Sequence, residues 1–525
     1  MYAPVASILS AVLLLGGPAA DENAGAPFDT AGIAPRDVTV FVQLEQGGHV
    51  RRNLAARPVA RFFDRLLTAG NLQEAWHRLA AHARVDDAAL LDLWLGRRCT
   101  LLIRRGGDGS DWALLTEVER DTAADIIKRL EPKRLAPRWG LPVAELPEHG
   151  LLVAADGSQY VIGPIAPGRL FDQTLRCLAG DELAFQSLAS DPAMKQAHTL
   201  GNGCMQVFMR HEPPLGGWSA VVADLDGDQL NLRHLGRFET APFQRPVTRL
   251  QIDLAPLKAF RDHALLAFIE PIDVTDGPFT GFLEAMLGEP LVSEAMRRNF
   301  RDVQIITVGE VEGRGEPHRT DMRLPTLAVA VRAEHADEAE AQLDAHAADL
   351  IHAVNRLGEG TSTVCIPDVN LWKPGQPRHV DLQPAIRAFA DDFPLMRSVS
   401  LDWTVSNGSL GDFYVVATHP QELQEVVRAL NAAPSGDEDP RCWTNCGFLN
   451  GRRIAVHLHS YCEQVVALAA EDPEEVVALR DTLLTAADLA RGIEFCEWRA
   501  RRRSATVLEL EIELTLSRPD SAERP

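Results

Sequence analysis

Phe413-Tyr-Val-Val-Ala-Thr-His-Pro-Gln-Glu-Leu-Gln-Glu-Val-Val-Arg-Ala-Leu430 is the stretch on which the fold turns. A short apolar strand ends at Ala417, Pro420 opens a helix, and acidic residues enter the first turn, where the helix dipole favours them. Val465-Val-Ala-Leu-Ala-Ala-Glu-Asp-Pro-Glu-Glu-Val-Val-Ala-Leu-Arg-Asp-Thr-Leu483 reads the same way. With Ala470 laid over Ala417, Pro473 falls on Pro420 and the apolar helix positions stay in register. Looser copies run from Trp112 to Leu130, from Gln159 to Leu170 and from Leu327 to Leu343.

Each copy follows another strand across a turn. Arg97 to Arg104 leads through Gly106-Gly-Asp-Gly109, and Val399 to Val405 leads through Ser406-Asn-Gly-Ser409. The recurring element is therefore a β-hairpin followed by a helix. A hairpin with one apolar face needs a helix over it, which predicts helices on one side of mostly antiparallel sheets. The fold class expected is α+β: two related halves of β-hairpin-helix units, with mostly antiparallel sheets covered by helices.

The strand Asp37 to Glu45 opens the first half, and the weakly patterned Gly236 to Pro246 marks a boundary. The second half repeats the order, with strands at Val247 to Leu254, Val303 to Val311 and Leu327 to Val331 and a helix at Asp337 to Leu357. The divisions expected are a signal peptide at 1–20, a first half at 36–236 and a second half at 247–431. A C-terminal hairpin-helix-strand module at 441–518 is expected to pack on the second half.

The chain has 525 residues, 46% hydrophobic and 24% charged, which fits a globular protein of roughly two to four domains. A formal charge of −22 argues against nucleic acid as a partner, because counterion release needs clustered Lys and Arg. The one basic cluster, Arg499 with Arg501, Arg502 and Arg503, precedes Val507 to Leu516, whose alternation puts Glu509, Glu511 and Glu513 on one face. Cross-strand ion pairing accounts for it. The apolar Val5 to Leu15, followed by small residues before Asp21, reads as a signal-peptide core, shorter than the ~20 residues of a spanning helix. Export to the periplasm or cell envelope is the expectation, with no membrane span.

Three passages together resemble a family of exported bacterial proteins of unknown function, of the planctomycete type. They are Pro35-Arg-Asp-Val-Thr-Val-Phe-Val42, Leu183-Ala-Phe185 leading to Ser190-Asp-Pro192, and the strand Met205-Gln-Val-Phe208. Val38 stands where that family usually has Thr. The resemblance covers mainly the first half and implies an envelope or secreted location and an α+β repeat fold. It brings no catalytic residues.

No nucleophile elbow, Walker lysine, His-Glu-x-x-His pair or dinucleotide fingerprint is present in the sequence. Asp224-Leu-Asp-Gly-Asp228 reads as a hairpin turn despite its oxygen density, Gly358 to Thr363 as a helix C-cap, and His346, Asp349 and His352 as a solvated helix face. Soft ligands gather only at Cys442, Cys446, His457 and His459. The histidines take alternate positions of an expected strand, Arg453 to His459, so zinc is the metal they would suit. A disulfide or a pair of inert thiols is the preferred reading over zinc, and it leaves the protein without a cofactor. The function expected is non-enzymatic binding of an unknown protein or a small apolar ligand. The alternatives are a metal-dependent hydrolase at the Cys/His cluster and a structural, self-assembling envelope protein.

Overall fold

The computed structural model describes residues 28–45, 57, 72–87, 89–90, 94, 97–106, 109–165, 169–181, 187–213, 216–239, 255–261, 263–271, 300–312, 323–335, 338, 341, 378–381, 404–410, 413–432, 443, 445–468, 473–504 and 506–518. The expected leader, the strand at 247–254, the C-cap at 358–363 and the helix-face histidines at 346 and 352 lie outside the described residues. The chain forms two compact units. The first comprises Met1–Pro246, Arg491–Glu494 and Arg502–Pro525, and the second comprises Val247–Ala490 and Phe495–Arg501.

The first unit contains β1 (Val40–Glu45), β2 (Arg98–Gly106), β3 (Gly109–Glu117), β4 (Lys133–Arg134), β5 (Val143–Leu146), β6 (Leu151–Asp156), β7 (Gln159–Pro164), β8 (Met205–Arg210), β9 (Trp218–Asp226) and β10 (Gln229–Arg237). Every pairing is antiparallel, in the order β4-β5-β6-β7-β3-β2-β1-β8-β9-β10. Helices α1 (Leu72–Ala83), α2 (Arg120–Arg129), α3 (Arg169–Leu178) and α4 (Pro192–Ala197) accompany the sheet.

Helices on one side only is an expectation that this unit corrects. Val161, Leu152, Ala154, Ala113 and Leu115 share a buried cluster with Leu170, Phe171 and Leu175 of α3 and with Met194 of α4. Their strand neighbours Tyr160, Ile162 and Val153 face the other way, into a cluster with Leu79 and Ala83 of α1 and Ala123 and Ile126 of α2. Successive strand residues point to opposite faces, so runs such as Tyr160-Val-Ile162 need cover on both. Gly163 is required by this packing, since a Cβ there would lie 2.9 Å from the Phe171 ring.

The second unit contains β11 (Leu266–Pro271), β12 (Phe300–Glu312), β13 (Arg323–Ala333), β14 (Arg378–Asp381), β15 (Thr404–Leu410), β16 (Phe413–Ala417) and β17 (Asn445–Leu449). β18 (Ile493–Ser504) gives residues 495–501 to this unit, and β19 (Val507–Leu516) belongs to the first unit. The antiparallel order is β14-β15-β16-β13-β12-β11-β17-β18. It matches the first unit's β5-β6-β7-β3-β2-β1-β8-β9 strand for strand. Among the described residues the helices are α5 (Ala255–Phe260), α6 (Pro420–Ala432), α7 (Gly451–Leu468) and α8 (Pro473–Gly492).

The quoted stretch at 413–430 folds as read, β16 into α6. Its apparent twin does not: 465–468 continue α7, and only Pro473 begins a new helix. Asn450 accepts the Arg453 N–H at 3.1 Å and starts α7, after which Ala455 and Cys462 fall on one buried stripe. Ser406 to Ser409 is strand and no turn, with Ser409 opposite Tyr414 and Leu410 opposite Phe413. The expected C-terminal module is also corrected. β17 lies inside the second sheet beside β11, whereas β19 pairs with β10 of the first unit from Gln229↔Thr515 to Arg237↔Val507.

Candidate functional site

The predicted Cys/His cluster does not assemble among the described residues. Cys442 lies outside them. Cys446 sits on β17, opposite Ile269, and is buried with Ile305, Val415 and Leu423. The histidines lie on α7, not on a strand. His457 is buried against Glu310 of β12, with Nδ1 3.8 Å from Oε2, and Arg453 one helical turn earlier approaches the other carboxylate oxygen at 3.5 Å. Ile305 and Glu310 differ by an odd number of strand positions, so Cys446 and His457 belong to opposite faces of the second sheet. His459 is exposed. At 100° per residue it diverges from His457 on a helix, where a strand would have aligned the two.

The passages that carry the family resemblance meet at one buried carboxylate. Asp191 caps α4 by accepting the Ala193 N–H at 2.7 Å. Its second oxygen accepts from Arg210 at the end of β8 (2.7 Å) and from Arg36 of the Pro35-Arg-Asp passage (3.3 Å). Arg210 also donates to the carbonyls of Arg36 and Val38, and Pro35 bridges Ser187. Burial would raise the Asp191 pKa, but the Arg210 and Ala193 hydrogen bonds outweigh it and hold the carboxyl below its ordinary value.

A polar row crosses the same sheet. Gln43 stands opposite Thr100 on β2 and Gln206 on β8. All three are 1–2% exposed. Thr30 bonds to both Gln43 and Thr100, and Gln206 accepts from the Phe28 N–H, so the segment before β1 satisfies the row.

The second unit buries Glu422 in the first turn of α6. It accepts from Thr307 at 3.0 Å and Thr326 at 2.8 Å and lies over Gly309, where a Cβ would stand 2.1 Å from the carboxylate. Burial raises its pKa, and the two hydroxyls only partly offset that.

Asp228, in the oxygen-rich turn, is paired with Arg518 and Arg57, each at 2.9 Å, and their hydrogen bonds lower its pKa. Gly227 has φ +58, as a tight hairpin demands. In the basic cluster Arg503 pairs with Glu509 at 2.5 Å, and Arg501 lies 5.8 Å from the Trp443 ring centre.

Two histidines that sequence reasoning passed over come together in the first unit. His82 at the end of α1 places Nδ1 2.9 Å from His149 Nε2 and 3.3 Å from Glu148 Oε2. Burial, followed by the neighbouring His82, lowers the His149 pKa. Nothing local in the sequence joins residues so far apart. Nearby, Trp94, Thr116, Ile126, Val153 and Tyr160 help line an apolar cavity of about 20 Å³, room for roughly one water.

Among the described residues no helix is long and apolar enough to cross a membrane. No family model matches the chain, and neither a curated protein nor a solved structure matches it.

Proposed function

We propose that this is an exported, non-enzymatic binding protein of the periplasm or cell envelope, built on a duplicated α+β frame whose hairpins are covered by helices. The observation that carries the duplicated frame is the common strand order, β5-β6-β7-β3-β2-β1-β8-β9 in one unit and β14-β15-β16-β13-β12-β11-β17-β18 in the other. Antiparallel strands have many orders open to them, so a shared order of this length supports descent of both units from one ancestor. The helical pair α7 and α8 then stands as an insertion between β17 and β18, where the first unit has only residues 211–217 between β8 and β9.

The buried acids fit a frame. Asp191 and Glu422 are engaged by a helix N–H, arginines and threonine hydroxyls, the partners of structural carboxylates. The apolar Val5 to Leu15 with small residues before Asp21 supports export, and the resemblance to exported planctomycete-type proteins agrees.

Expression in a bacterial host, followed by fractionation and N-terminal sequencing, tests the location. A periplasmic chain beginning near Asp21 is expected, and a cytosolic chain that keeps Met1 overturns export. Native mass spectrometry of the periplasmic protein tests binding through a retained mass that leaves on denaturation. A bare chain that turns over ester or amide substrates overturns the non-enzymatic reading.

A further inference from the structure

The end of α1 and the turn between β5 and β6 bring two imidazoles to one point in the first unit. His82 closes α1, and His149 closes the 3-10 turn Pro147–His149 between β5 and β6. Both backbones are anchored in one buried cluster, through Leu79 and Ala83 on one side and Leu146 and Val153 on the other. The rings lie 5.0 Å apart between centroids, tilted by 44°. The pair is therefore positioned by packing and not by the flexibility of two surface side chains.

The spacing has a coordination-chemistry reading. Ligand nitrogens each about 2.1 Å from an ion stand about 3 Å apart when they meet at a right angle and about 3.4 Å apart at the tetrahedral angle zinc favours, so the pair has to open by about 0.5 Å to hold zinc. The His82 and His149 nitrogens stand at 2.9 Å and share a hydrogen bond that an ion would replace, and a carboxylate oxygen of Glu148 lies 3.3 Å from the same His82 atom. The Glu148 side chain is 75% exposed, whereas that of His82 is 26% exposed. Among the described residues no three such side chains already converge on one point, so the carboxylate has to swing in as the ion arrives.

We propose that His82 and His149, joined by Glu148, bind a divalent transition-metal ion of the zinc class. Two imidazoles and one carboxylate select zinc, nickel or copper over calcium and magnesium, which prefer all-oxygen shells. Binding needs His82 in the tautomer with its proton on Nε2, so that its Nδ1 lone pair and the Nε2 lone pair of His149 both face the ion. Water fills the remaining positions. Arg78, whose charge acts on His149, opposes the ion and keeps the site weaker than a four-ligand structural zinc centre.

The test is calorimetric titration of the full chain with zinc chloride, repeated with cobalt chloride for its visible absorption. The wild-type chain should take up zinc and show cobalt bands of nitrogen and oxygen coordination. His149→Gln and His82→Gln should each weaken binding at least about tenfold, since even losing an outer-sphere partner costs about 10–100-fold. Glu148→Gln should weaken it less. His149 lies in a surface turn, so its variant should keep the wild-type melting curve and remain informative if His82→Gln misfolds. No uptake of zinc, cobalt or copper by the wild-type chain overturns the proposal, as does uptake that His149→Gln leaves unchanged.

Discussion

Arg210 reaches one oxygen of Asp191 at 2.7 Å while the other oxygen accepts the Ala193 N–H at the same distance, so a single carboxylate caps α4 and ties it to the end of β8. Asp191 has an 8% exposed side chain but its arginine partners are 33% and 46% exposed, so losing the cap and the charged hydrogen bonds costs about 1–3 kcal/mol. Asp191→Ala should lose stability in that range by urea unfolding. Asp191→Asn keeps the cap and should lose less. Equal losses would mean that the charge contributes nothing beyond the cap.

The same carboxyl sets a pH limit. Its folded pKa lies below the unfolded value of 3.8, so its contribution is complete above that value and drains away as pH falls through the lower folded value. Wild-type stability should therefore fall more steeply than that of Asp191→Asn as pH drops below about 4. Parallel curves would refute the assignment.

Glu422 has the opposite sign. Its pKa is raised above 4.5, so its contribution is present at low pH and is lost as pH rises through the folded value. Glu422→Gln, which keeps the shape without the charge, should gain on the wild type as pH is taken from 4.5 upward. Denaturant midpoints across that range provide the measurement.

Gly309 and Glu422 should behave as one unit. Gly309→Ala puts a methyl group into the carboxylate, and overpacking of this kind costs about 1–3 kcal/mol. With Glu422→Ala already in place the same change should cost markedly less, giving a double-mutant coupling of about 1 kcal/mol or more. Additive losses would show that the two do not touch in solution.

Trp139 and Gly140 form a turn with φ of +54 and +79, a conformation that suits Asn-Gly and strains a bulky residue. Arg176, 4.7 Å over the ring, offsets part of that strain. Trp139→Asn should leave stability unchanged or raise it by up to about 1 kcal/mol. A clear loss in thermal unfolding would show that the stacked arginine outweighs the backbone.

Local signals in the sequence were reliable where one element decides its own form. The hairpin of β2 and β3 and the Pro420 start of α6 read correctly because their causes lie within a few residues. Arg453 to His459 misled because a helix that places Arg453 and His457 four apart also shows polar residues at 457 and 459, as a strand would. The capping Asn450 was the signal that separates the two. Gln43 with Gln206, and His82 with His149, were illegible in principle, because their meeting depends on strand order and on which faces are buried.

The pairing of β10 with β19 joins residues 229–237 to residues 507–515. The first unit therefore remains one strand short while the whole of Val247–Ala490 is being made, and β10 waits with an open edge through that interval. Long-range closure of this kind slows folding and exposes strand edges to wrong partners. Synthesis of this chain thus carries a period of vulnerability whose length is set by the second unit, and a chaperone that shields β10 would act best just before residues 507–516 arrive.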